Sequence, residues 1–167
     1  NYYVRLNNPL DYQLFRKANV DKVVVGKGEF LFEGNYIDSY FGHNFAGKEN
    51  LENRYKKLKI VQDYLQQQGI FLEVIFAPGK ASFFPEFIPS DWTAEKKMNN
   101  YEYASQLCKK HNIRFIDFNA WFLSQKNFSP YDLYPKTGIH WSNYGSLVAF
   151  DSLVKHTEYY TGLNMKS

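Results

Sequence analysis

The clearest regularity along the chain is an apolar stripe at three- and four-residue steps, Leu51, Tyr55, Leu58, Val61 and Leu65, which predicts one long amphipathic helix. Gly69 follows it, the residue type favoured just past a helix C-terminus. Residues 70–77 are then apolar at every position except Glu73, the pattern of a central parallel strand covered on both faces. The same unit recurs. Thr93 is placed to cap a second helix carrying Met98, Tyr101, Ser105 and Cys108, and Asn112 leads into a second strand over residues 113–118. Two helix-then-strand units in succession predict an α/β fold, a mostly parallel sheet flanked by helices. Ahead of them, residues 22–26 and 29–32 are short β-prone runs split by Gly26-Lys27-Gly28, a spacing that suits an N-terminal β-hairpin. Residues 34–47 read as a loop, and residues 1–18 as an arm or short helix broken at Pro9. A last helix over residues 143–160 carries Leu147, Phe150, Val154 and Thr157 on one side. No linker divides residues 1–167, so one domain is expected.

Composition adjusts this picture in three places. Hydrophobic residues make up 44% of the 167 and charged residues 22%, as in ordinary globular domains, which excludes disordered and coiled-coil chains. Aromatic residues make up 19%, more than a core of this size requires, so some rings are expected on a groove or partner surface. The net charge of +3 is too small for the basic footprint of a nucleic-acid binder, and Lys56, Lys57 and Lys59 read as a solvated helix face. Cys108 stands alone, which excludes an intramolecular disulfide and a Cys-rich metal site. No apolar run approaches 18 residues, so no membrane span is expected in this chain. The first residue is Asn, which suggests a processed protein or an excised piece.

In a parallel sheet, the loops leaving the carboxyl edge form the crevice that binds ligands. Two loops qualify here: residues 78–82, with Lys80 as either a substrate-facing cation or a solvated side chain, and residues 119–140. The second ends in Lys136-Thr137-Gly138-Ile139-His140-Trp141-Ser142, where His140 precedes a helix capped by Ser142. An imidazole at such a junction is suited to take a proton from a hydroxyl and return it to a leaving group. The alternative for His140 is a surface or capping residue. There is no G-x-S-x-G elbow, Gly-Asp-Ser segment, P-loop or dinucleotide fingerprint, and no His pair at metal-ligand spacing, so no cofactor is implied.

Taken in order, Leu14-Phe15-Arg16, residues 24–32, residues 74–81 and His140-Trp141-Ser142-x-x-Gly145 resemble the SGNH-hydrolase-like domain of the AlgX/AlgJ alginate O-acetyltransferase group and its DHHW relatives. The resemblance implies a three-layer α/β/α, flavodoxin-like fold. It also implies an exported bacterial enzyme, periplasmic or in the cell envelope, that moves or removes acetyl esters on polysaccharide hydroxyls, with envelope-biosynthesis proteins as possible partners. His140 matches the family's general base.

Two departures accompany the resemblance. Gly138 stands where the family has the Asp that orients the His, a role whose loss costs orders of magnitude in rate. Asp132 or Asp117 are the candidate substitutes. The family nucleophile comes from a later Gly-Asp-Ser motif, and Ser82, Ser142 and Ser146 lack that context. The expectation is therefore a domain cut before its nucleophile and inactive alone, with a decayed, non-catalytic glycan-binding or scaffold domain as the alternative. On either reading Trp141 and Tyr144 are candidate sugar contacts with Lys80, Trp121 lies near the same loop, and a +3 domain tolerates an anionic polymer.

Overall fold

The computed structural model describes residues 22–165 and, ahead of them, Leu10, Asp11 and Leu14, which are helical. The rest of the expected N-terminal arm, including most of Leu14-Phe15-Arg16, lies outside the described residues.

The hairpin forms as expected. Strands β1 (Val23–Val25) and β2 (Leu31–Glu33) pair antiparallel with Val24 opposite Phe32. Their connection is a turn at Lys27–Glu29 in which Gly28 takes a left-handed φ of 61°. Residues 34–47, expected as loop, instead begin with helix α1 (Gly34–Phe41). Its buried positions Gly34, Ile37 and Phe41 are spaced three and four apart, a helical period hidden among polar and aromatic neighbours. Helix α2 (Lys48–Gln67) follows the predicted stripe, and Gly69 beyond it adopts φ +73°. Near its C-terminal end the stripe is displaced: Val61 is 47% exposed and Gln62 is buried instead. Gln62 is held there because its carbonyl accepts from the Arg114 N–H at 2.8 Å while its amide donates to Asn112 O at 3.3 Å, so both ends are satisfied.

Strands β3 (Val74–Phe76) and β4 (Phe115–Asp117) pair in parallel, with Ile75 opposite Ile116. The expected full two-sided cover of β3 is corrected: Ile75 is 43% exposed. Between the strands lie the short helix α3 (Lys80–Phe83) and helix α4 (Asn100–Lys110). Thr93 does not cap α4. Asn99 does, through a reciprocal capping box with Glu102, because an Asn three residues before a Glu satisfies two end N–H groups at once.

Helix α5 (Phe118–Gln125) starts directly after β4, capped by the Asp117 carboxylate, where a loop was expected. Helix α6 (Asn143–Thr161) is capped by Ser142 as expected, but the first half of its expected stripe faces outward, with Leu147 67% and Phe150 63% exposed, while Val154 and Thr157 are half-buried. The cause is Gly145. A Cβ there would sit 2.6 Å from Leu133 O, so the helix docks through Gly145 and Ala149 with Tyr144, Val148 and Leu153 packed beside them, and Leu147 and Phe150 are left outward.

Two apolar clusters hold these pieces together. One joins Phe83, Ile116, Phe118, Phe122, Leu133, Tyr134 and Ala149, and the other joins Phe32, Ile37, Phe41, Ala81 and Ile88. Phe84 packs against both. Each large side chain so buried contributes about 1.5–3 kcal/mol. The aromatic excess therefore resides largely in packing. Phe76 and Phe115 are half-buried on the parallel strands, Phe118 is buried on α5, and Phe71 lies outside any strand and stacks on Tyr160. Among the described residues no helix is long and apolar enough to cross a membrane.

Candidate functional site

At the carboxyl edge of the parallel pair the chain opens into a crevice of about 360 Å³. Helix α1 contributes Tyr36, Ser39 and Tyr40, the end of β3 contributes Ala77, Pro78 and Gly79, and Ser82, Asn99, Asn100, Tyr101 and Asn119 close it. A second hollow of about 340 Å³ shares Tyr40, Ser82, Asn99, Tyr101 and Asn119 and extends past Lys96 and Glu102, making one continuous groove. The position is the one expected for a helix-flanked parallel sheet. Pro78, Gly79, Ser82 and Asn119 lie in the two loops the sequence singles out, whereas Tyr36, Ser39 and Tyr40 are hidden from it because α1 reads as loop; the three-and-four spacing of Gly34, Ile37 and Phe41 is the available signal.

The His140 loop is fastened to this crevice wall from beneath. Lys80 is fully buried, and its ammonium donates to the main-chain oxygens of Pro135 at 2.6 Å, Lys136 at 2.8 Å and Gly138 at 2.8 Å. It also lies over the rings of Phe30 and Phe32, 5.2 and 5.5 Å from their centres. Burial pushes its pKa down to about 8, which leaves it charged at neutral pH. The expectation of a substrate-facing or solvated Lys80 is thus corrected: all three of its hydrogens are used inside the protein.

Trp141 and Tyr134 complete the fastening, since the indole N–H (3.2 Å) and the Tyr134 hydroxyl (2.5 Å) both donate to Pro78 O on the crevice wall. Trp141 is half-buried against Phe118 and Phe122, and Tyr144 packs against the same core cluster with its ring edge-on to Tyr131; neither lines the crevice, so both are anchors. Trp121 packs in the same way against Phe118 and Phe122.

His140 itself is exposed, and among the described residues neither a hydrogen bond nor an ion pair joins its ring to a carboxylate. The candidate substitutes are placed as follows. Asp132 is exposed, and its main-chain oxygen accepts from the Ser142 hydroxyl at 2.5 Å. The Asp117 carboxylate is taken by the Ala120 N–H (2.9 Å) and by the Tyr101 hydroxyl (3.0 and 3.1 Å to its two oxygens). Gly138 has Pro135 folded over it: a Cβ would lie 2.7 Å from the proline Cγ. Of the three serines weighed as nucleophiles, Ser142 is spent on its cap, Ser146 is exposed, and Ser82 lines the crevice together with Ser39 of α1. Cys108 is buried and its thiol is pushed up to about 11 by burial, so it is unreactive. No group of three or more His, Cys, Asp or Glu among the described residues is arranged to hold a metal.

An α/β domain with small sheets, a hairpin ahead of a parallel pair and a His-Trp-Ser cap leading into its last helix is of the SGNH-hydrolase-like class. The chain belongs to the family described as SGNH hydrolase-like domain, acetyltransferase AlgX, which matches residues 23–164. A probable alginate O-acetylase AlgJ of Pseudomonas fluorescens is 28% identical over 155 residues, spanning 93% of this chain and 38% of the relative. The O-acetyltransferase domain of Pseudomonas putida AlgJ shares the fold at a TM-score of 0.64 and 24% identity, covering 86% of this chain and 50% of that one. Bacillus cereus PatB1 does so at 0.60 and 12% identity, covering 87% of this chain and 45% of that one. The chain thus spans well under half the length of the curated relative it matches, and half of the solved AlgJ domain.

Proposed function

We propose that this chain is the part of a polysaccharide O-acetyltransferase, or acetyl esterase, that supplies the general-base loop and one wall of the acceptor crevice. The observation that supports the reading is the double fastening of the His140 loop, by Lys80 to three carbonyls and by Trp141 and Tyr134 to Pro78, which ties the loop carrying the family's base position to a residue of the crevice wall. In this chemistry a serine oxygen attacks an acetyl ester, His140 takes the hydroxyl proton, and the proton leaves with the departing alcohol. A sugar hydroxyl then attacks the acetyl-serine and His140 returns its proton to the serine oxygen. The nucleophile is assigned to sequence outside these 167 residues. The site of action is the periplasm or cell envelope, as the likeness to AlgJ suggests.

A second reading is supported by Gly138: an imidazole with no carboxylate partner suits a domain that holds a glycan while other proteins transfer the acetyl group. The full-length gene product decides between them. Acetyl transfer from an aryl acetate to an oligosaccharide, lost on His140→Ala, is the expected result. Equal transfer by both proteins removes His140 from the chemistry, and saturable glycan binding with no transfer selects the second reading. The 167 residues alone are expected to show negligible esterase turnover.

A further inference from the structure

The crevice has an electrostatic character that bears on which polymer it accepts. Its polar walls are mainly tyrosine, asparagine and serine, and among the described residues the only charged side chains that line it are Lys96 and Glu102. These two are partners: Lys96 Nζ lies 2.6 Å from Glu102 Oε1, and the same ammonium rests over the Tyr40 ring at 4.9 Å. The Lys80 ammonium is buried next to Gly79 of this wall, on three carbonyls. The Asp117 carboxylate lies behind Tyr101 and adds negative potential from below. A polyuronate placed here would lose water from its carboxylates and meet no unpaired cation among the described residues that line the crevice.

What the walls do offer is neutral. The hydroxyls of Tyr36, Tyr40 and Ser82 have no hydrogen-bond partner among the described residues, although all three side chains are half-buried. Tyrosine faces pack on the C–H faces of sugar rings, and free hydroxyls exchange hydrogen bonds with sugar hydroxyls.

We infer that this crevice binds a neutral hexose or N-acetylhexosamine chain and discriminates against a polyuronate, with the Lys96–Glu102 pair setting that preference. The inference rests on the reading of the crevice as the acceptor site and names its substrate class.

Calorimetric titration of the full-length protein with cellohexaose, chitohexaose and hexamannuronate tests it. At least one neutral hexamer should bind with an affinity insensitive to salt, and Tyr36→Phe and Tyr40→Phe, which keep the rings, should each weaken it about tenfold. Hexamannuronate should bind at least about tenfold more weakly. Glu102→Gln, which preserves the capping box, should free Lys96 and narrow that gap. Hexamannuronate binding as tightly as the neutral chains, or no binding by any neutral hexamer, overturns the inference. Acetyl transfer assayed on the same oligosaccharides reports separately: neutral binding without transfer overturns the enzymatic reading and leaves the crevice's preference standing.

Discussion

The ammonium of Lys80 lies 2.8 Å from the main-chain oxygen of Gly138, two residues before His140, and it is sealed from solvent. One buried cation thus ties the end of the first carboxyl-edge loop to the His loop, 58 residues further along the chain.

Lys80→Met should therefore leave three carbonyls without their donor and cost about 3 kcal/mol, read as a lower urea midpoint at pH 7. Amide exchange in residues 136–140 should accelerate more than exchange in α2, which packs elsewhere. An unchanged midpoint would remove Lys80 from its structural role.

The same lysine has a pH signature of defined sign. Its folded pKa is lowered by burial from 10.5 to about 8, so between these values the unfolded chain holds a proton that the native protein has released. The Lys80 contribution to stability should thus rise as pH climbs from 8 to 10.5, by at most about 3 kcal/mol. Comparison with Lys80→Met isolates that slope, and parallel curves for the two proteins would contradict it.

Gly138→Asp restores the family's residue type but drives a Cβ to 2.7 Å from the Pro135 ring. The substitution alone should cost about 1–2 kcal/mol by overpacking, and Pro135→Ala should recover most of it. In the double variant the new carboxylate should fix one tautomer of His140, visible in the ring nitrogen shifts by NMR. Shifts identical to those of the parent would mean that the carboxylate does not reach the ring.

Ser142→Ala removes both the cap of α6 and the donor to Asp132 O, and should lower stability by about 1–2 kcal/mol. Ser142→Asp keeps the acceptor and loses the donor, so its melting temperature should fall between those of the parent and the alanine variant.

Glu73 is nearly buried beside His156, whose Nδ1 lies 2.9 and 3.1 Å from its two oxygens. Burial raises the Glu73 pKa above 4.5 despite that partner. A raised carboxyl pKa means that its contribution is fullest below 4.5 and is lost as pH rises through the folded value. Glu73→Gln should accordingly raise the melting temperature at pH 7, by about 1 kcal/mol in stability, and leave it unchanged at pH 4. Destabilisation at pH 7 would show that the ion pair outweighs the burial of charge.

The chain's own pattern was sufficient for the α2 stripe and its Gly69 stop, for the hairpin and for the two helix-then-strand units, because each is a local periodicity with a local terminator. Ser142 as a cap was legible for the same reason, and so was the resemblance that led to the family. Helix α1 was missed because its buried face is only three residues among polar and aromatic neighbours. The α4 cap was misplaced because Asn99 competes with Thr93, and only the reciprocal Glu102 contact separates them.

What the sequence by itself determined is therefore the hairpin, the two helix-then-strand units, the last helix and the motif that carries His140. Tertiary structure alone decided where Lys80 points, which face of α6 is buried, and which side chains line the crevice. The physical reason is the range of the forces involved. Periodicity and capping act within a few residues, whereas a buried ammonium is satisfied by carbonyls 55 to 58 positions away, and Gly145 orients its helix through Leu133, which lies outside it.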